Sequence, residues 1–212
     1  MKHLLQHMLI CLGLGLGQAG FAQDEGLHRI TGFRSATFGM GVEAVRAAIQ
    51  RDFALGPAAI REVLNSGEAT TVLSITLPSL EPGPGTAQVS YIFGATSRRL
   101  MHVNVVWSTD GNPTDDEREA IAIAGLQLAR YFTERQWKPD GKISGVMSSP
   151  HEVLLFAGID PADAGVELLV QGVAAQAADG STTTPAGPAT LKLAYMQRMG
   201  QPDIVKVTDG AF

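Results

Sequence analysis

The sequence predicts an α+β protein: an antiparallel sheet with helices packed on one face, continued by a long helix and further antiparallel strands. Three observations carry that expectation. Three segments between residues 70 and 107 alternate apolar and polar side chains at the period of a strand. The stretch 114–132 repeats apolar residues at the period of a helix. The connector "GATSRR" between two of the strands is short enough for a hairpin and too short for a parallel crossover.

The elements follow in order. Residues 1–22 have the layout of a cleaved export signal, with Lys2 and His3 as a basic start and an apolar run from Leu4 to Gly17. Gly20-Phe21-Ala22 then places small residues where a signal peptidase reads. The run is shorter than the roughly 18 residues of a membrane span, and Gln23, Asp24 and Glu25 follow at once. A periplasmic chain starting at Gln23, with no transmembrane anchor, is therefore expected. Residues 27–38 leave room for a short strand carrying Ile30 and Phe33. Val42, Val45, Ala48 and Ile49 then share one helical face, opposite Glu43, Arg46 and Gln50. Pro57 and Gly67 bracket "PAAIREVLNSG", where Ile60, Val63 and Leu64 predict a second short helix.

Three strands come next. Leu73, Ile75 and Leu77 oppose Ser74 and Thr76; Val89, Tyr91 and Phe93 oppose Gln88, Ser90 and Ile92; Met101, Val103, Val105 and Trp107 oppose His102 and Asn104. One face is thus apolar and the other polar. Prolines make "PSLEPGPG", residues 78–85, a loop. Thr114 and Glu117 form a capping box that starts a helix with the stripe Ile121, Ala124, Gly125, Leu128, Tyr131 and Phe132. Further strands are expected at Val153 to Phe156, Val166 to Val173 and Ala189 to Met196, with the polar "QAADGSTTTPAGP" as a hairpin loop between the last two. Residues 23–212 are expected to form a single domain, with 38–107 as a helix-helix-three-strand unit and 113–212 as a helix plus strands.

Composition narrows the function classes. Removing residues 1–22 takes away one cation, Lys2, and no acid, so the formal charge of −5 becomes −6. Such a chain lacks the basic footprint of a nucleic-acid binder. Cys11 is the sole cysteine, so the exported form has neither a disulfide nor a thiol nucleophile. The remaining histidines, His28, His102 and His151, lie far apart, so no metal site and no cofactor are expected. The chain contains no G-x-S-x-G, no S-x-x-K and no P-loop. Two glycine fingerprints occur, Gly15-x-Gly17-x-x-Gly20 inside the signal and Gly39-x-Gly41-x-x-Ala44 before a helix. The first lacks a following helix. The second lacks the flanking parallel strands of a dinucleotide site, and Glu62, at the right separation, falls in the second helical pattern rather than at a strand end.

"FGM" at Phe38 to Met40, followed by Gly41, Glu43, Ala44 and Val45, resembles the helix start of small exported β-lactamase-inhibitor-like domains, including outer-membrane assembly lipoproteins of the SmpA/OmlA type. The likeness spans Phe38 to Trp107 and implies two helices covering one face of an antiparallel sheet, with the methionine packed beneath it. Gly41 stands where that motif has Ser or Thr. From "GFRSATFGM" through "VSYIFG" to "QPDI", the whole chain looks like an uncharacterised family of exported bacterial proteins, a likeness that implies no activity.

Two classes of function follow. One is a periplasmic binding or assembly module that holds an envelope protein partner on the polar sheet face, through Ser74, Thr76, Ser90, His102 and Asn104. The other is an exported hydrolase whose dispersed site includes His102 or His151.

Overall fold

The computed structural model describes residues 26–206. The signal segment 1–22, with Cys11 and the first glycine fingerprint, lies outside the described residues. Within them the chain is α+β. In order run β1 (Gly32–Phe33), β2 (Ala36–Thr37), α1 (Val42–Phe53), β3 (Arg61–Asn65), β4 (Thr70–Leu77), β5 (Ala87–Phe93) and β6 (Leu100–Ser108). There follow α2 (Asp115–Thr133), β7 (Lys142–Ile143), β8 (Val146–Ser149), β9 (Glu152–Ile159), β10 (Gly165–Gln171) and β11 (Thr190–Met196).

Nine strands make one antiparallel sheet in the order β3-β4-β5-β6-β11-β10-β9, with β7 and β8 both pairing along the outer edge of β9. The last strand in sequence closes the middle. β11 pairs with β6 from His102 opposite Met196 to Ser108 opposite Thr190, so the early meander and the later strands share one sheet.

Because alternate residues of a strand point to opposite sides, the register divides the sheet into two chemically distinct faces. On one, Leu73, Tyr91, Val103 and Val166 fall in a row, as do Ile75, Val89, Val105, Leu193, Leu168 and Phe156. All ten of these residues are buried, and each large apolar side chain so removed from water contributes about 1.5–3 kcal/mol. Both helices cover this face. Val45, Ala48 and Ile49 of α1 are fully buried, and Phe132 of α2 stacks on Phe156 with ring centres 5.7 Å apart. Trp107 and Trp137 are sealed in without orphaned donors: their indole N–H groups donate to the carbonyls of Leu80 (2.7 Å) and Phe132 (2.8 Å). Buried Asp160 ties the N-terminal segment to the β9–β10 turn, accepting from the amides of Ile30, Ala162 and Ala164.

The strands expected around 70–77, 88–93 and 100–107 form there, and the capping box forms in full, the Glu117 amide donating to Thr114 Oγ1 at 3.3 Å and the Thr114 amide to Glu117 Oε2 at 2.7 Å. Other expectations need correction. "PAAIREVLNSG" is not a helix: Pro57–Ala59 make one 3-10 turn and Arg61–Asn65 become β3. Its spacing of Ile60, Val63 and Leu64 fits a helix, but pairing with β4 satisfies the backbone instead and leaves Val63 and Leu64 exposed. The strand expected in 27–38 is a two-residue hairpin, held at its turn by Asp52, whose carboxylate accepts from the Ser35 amide (2.9 Å) and hydroxyl (2.5 Å). Tyr131, placed on the buried stripe of α2 by its spacing, is 45% exposed and carries the Arg135 guanidinium 4.2 Å from its ring centre.

Candidate functional site

The second face of the sheet holds the polar positions singled out by the alternation. Ser74 lies directly opposite Ser90, and Ser90 directly opposite Asn104, so three of the five candidates make one row across β4, β5 and β6. Arg61 extends that row on β3, and Ala194 and Glu167 extend it on β11 and β10. Thr76 belongs to the next row, with Gln88, Val106 and Lys192. His102 belongs to the row on the other side, between Ile92 and Met196. All five candidates therefore share one continuous patch, on the side opposite α1 and α2. Thr76 is exposed and the other four are half-buried.

Short side chains in the middle of a wide sheet are shielded by their neighbours even where no further layer covers them. His102 and Asn104, two apart on β6, show the electrostatic result. His102 Nε2 and Asn104 Oδ1 are both shielded from solvent and without a hydrogen-bond partner. Burial pushes the His102 pKa below its ordinary value, and the Lys192 ammonium pushes it the same way. Asn104 opposes this as a polar neighbour, although the two groups lack the geometry of a hydrogen bond. His102 is thus held toward the neutral imidazole.

At the Met196 end the patch runs into a cleft of about 440 Å³, roofed by the segment after β11 and lined by Ser97, Met101, His102, Met196, Arg198 and Asp203. Backbone bonds strap this segment down: the Gln197 amide donates to the Met101 carbonyl (2.8 Å), the Ala95 amide to the Asp203 carbonyl (2.8 Å), and the Val205 amide to the Glu68 carbonyl (3.0 Å). The Asp203 carboxylate is the anchor, accepting from the amides of Thr96 (3.1 Å) and Ser97 (2.8 Å). The Ser97 amide and hydroxyl, together with the Thr96 amide, hold its pKa down at about 2. Gly94 makes the approach possible, since a Cβ there would lie 2.2 Å from Asp203 Oδ2.

Ser97, His102 and Asp203 are a nucleophile, a base and an acid lining one cleft, but their connectivity is not that of a nucleophilic triad. A triad needs the carboxylate to orient the histidine and the histidine to meet the serine. Here the carboxylate holds the serine's own amide, and His102 Nε2 bonds to neither. His151 does not join them. It precedes Glu152, which stands in the row of Gln171, Thr190 and Ser108, at the opposite end of the sheet from His102. Its Nδ1 lies 2.8 Å from the Thr184 carbonyl. Among the described residues, no three His, Cys, Asp or Glu side chains gather as metal ligands do. No helix among them is long and apolar enough to cross a membrane.

The Gly39–Gly41 stretch is a structural hinge between sheet and helix. Gly39 takes a positive φ of 85°, its amide donates to the Leu100 carbonyl, and the Leu100 amide returns a bond to Met40. Gly41 caps α1 without a side-chain bond. A dinucleotide loop would sit between parallel strands, whereas the strand after α1 is the antiparallel edge β3, where Glu62 is ion-paired to Arg46.

The strap and its anchor gave no signal in the sequence, because Asp203 meets residues 94–97 across more than a hundred positions. Compared with family models, with curated proteins and with solved structures, the chain matches none.

Proposed function

We propose that the chain is exported to the periplasm and works there as a non-catalytic binding or assembly module that holds a protein partner on the open face of its sheet. One observation carries this reading: Ser74, Thr76, Ser90, His102 and Asn104 form a continuous patch of donors and acceptors on the face opposite both helices. A flat array on a rigid sheet fixes the geometry of several hydrogen bonds at once, which lowers the ordering cost of binding. Ile92 and Val106 add apolar area within the patch, and Lys192 and Arg61 flank it with positive charge, which suits a partner surface of hydroxyls, amides and a carboxylate. The resemblance of the Phe38 to Trp107 region to envelope assembly domains points the same way.

The test places a photo-crosslinking residue at Ser90 or, as control, at Ile123 on the outer side of α2, and exposes the mature chain to envelope extract. One defined adduct from position 90, absent from position 123 and lost with His102→Glu or Asn104→Lys, is expected. An adduct indifferent to both substitutions, or none at all, sinks the open-face reading.

A further inference from the structure

The two edges of the sheet are built differently. The β9 edge is closed by β7, of two residues, and β8, of four, with a register shift between Met147 and Ser149. Short strands and bulges are the ordinary means of blunting an edge. The opposite edge, β3, is a single unbulged strand whose only such protection is the charge of Arg61 and Glu62. Its five residues are all exposed, Val63 is 50% and Leu64 64% exposed on opposite faces, and it contains neither Pro nor Lys. Among the described residues no strand pairs with its outer side, so that row of backbone donors and acceptors is open to another chain.

We propose that β3 is the seat of a two-fold dimer, in which the β3 strands of two copies pair antiparallel and join two sheets into one. A second copy of the same strand fits this edge in one register. Centring the pair on Arg61 or on Glu62 would set like charges face to face, which is destabilising. Centring it on Leu64 or Asn65 would use three residues or fewer of the strand. Centring it on Val63 uses all five: Val63 meets Val63 of the second copy, Arg61 meets Asn65, and Glu62 meets Leu64. Glu62 already carries its counter-ion, Arg46 of α1, so the two acids near the axis arrive neutralised. Because both copies offer the same edge, the assembly closes at two and leaves no sticky edge of this kind behind. The dimer leaves the open face unobstructed, so this proposal stands or falls apart from the partner reading.

Sedimentation velocity of the chain from Gln23, from micromolar to several hundred micromolar, is expected to show a monomer–dimer equilibrium. Val63→Lys, an exposed substitution that keeps the fold by circular dichroism, is expected to weaken dimerisation about tenfold or more by setting two ammonium groups together. In Val63→Cys the new thiol is unique, Cys11 being outside this chain, and a short thiol-to-thiol crosslinker is expected to yield a covalent dimer. Leu126→Cys, exposed on α2, is the control. A chain that stays monomeric over the whole range, or one that crosslinks through position 126 and not 63, overturns the proposal. So does a monomer in which the β3 amides that point away from β4 resist hydrogen exchange, since another strand would then hold the edge.

Discussion

The two faces of one sheet are made by the same strands, residue by residue, yet they follow opposite rules. The covered face is filled with large side chains at or near zero exposure, Tyr91, Phe93, Trp107, Phe156 and Leu168 among them. The open face carries Ser74, Ser90, Asn104 and Ala194, too small to build a core of their own. Burial acts on a titratable group of each face with opposite sign. It raises the Tyr91 pKa, with Asp52 adding to the effect, and lowers that of His102, in both cases favouring the neutral form. Stability is thus concentrated on one side of the pleat.

The largest break in that comparison comes from Phe156→Ala. Its ring is packed against Phe132, 5.7 Å away, and Trp137, 5.3 Å away, in a site lined by rigid rings that collapse poorly. Urea unfolding is expected to show a loss of about 3–5 kcal/mol. Ser90→Ala, on the open face, is expected to change stability by less than about 0.5 kcal/mol. Equal costs at the two positions would refute the division of labour.

The legible part of the fold was the part governed by local periodicity. Alternation in 70–77, 88–93 and 100–107 placed most side chains on their correct face, and Thr114 with Glu117 placed the start of α2, because these signals act within a few residues; Met101 is the exception, since the register shift after Ile92 sets Leu100 opposite Phe93 and leaves Met101 lining the cleft with His102. Ile60, Val63 and Leu64 misled because three apolar residues at that spacing suit a helix as well as a strand, and the pairing of β3 with β4 decided the matter from outside the segment. β7 and β8 carried no pattern, being too short to alternate. For the candidate site, the five polar residues were readable as a face, and their direct register was not, since it depends on how the strands align. Still less visible were the contacts of Asp203 with residues 94–97 and of Met196 with His102, which exist only once the last strand enters the middle of the sheet.

A smaller effect sharpens the comparison within β9. Gly158 faces the covered side, where a Cβ would lie 2.7 Å from two atoms of the Trp137 ring and 2.8 Å from Phe156. Gly158→Ala is expected to cost about 1–3 kcal/mol by overpacking, with no change in partner capture or dimerisation. Ala157, its neighbour, faces the open side in the row of Glu167 and Ala194, and Ala157→Val is expected to be nearly neutral by the same unfolding assay. A reversal of the two would mean that the faces are assigned wrongly.

The smallest effect belongs to the open face and is read in pH rather than in a single stability value. Folding lowers the His102 pKa, so below the ordinary histidine pKa of about 6.5 the unfolded chain takes up a proton more readily than the folded one. The sign follows by linkage: stability is retained at neutral pH and falls as pH drops from about 6.5 toward the folded value. One proton limits the slope to about 1.4 kcal/mol per pH unit. Asp203, with its pKa at about 2, remains ionised in this window and does not titrate alongside His102. His28 does contribute, because its pKa is also lowered, first by burial and then by Arg135. His102→Gln should therefore reduce the slope between pH 6.5 and 5, and adding His28→Gln should flatten it further. A slope unchanged by His102→Gln would show that the imidazole is as well hydrated in the folded chain as in the unfolded one. The open face at that end of the sheet would then be wetter than its packing implies, and the proposed partner contact would have to be sought nearer Ser90 than the cleft.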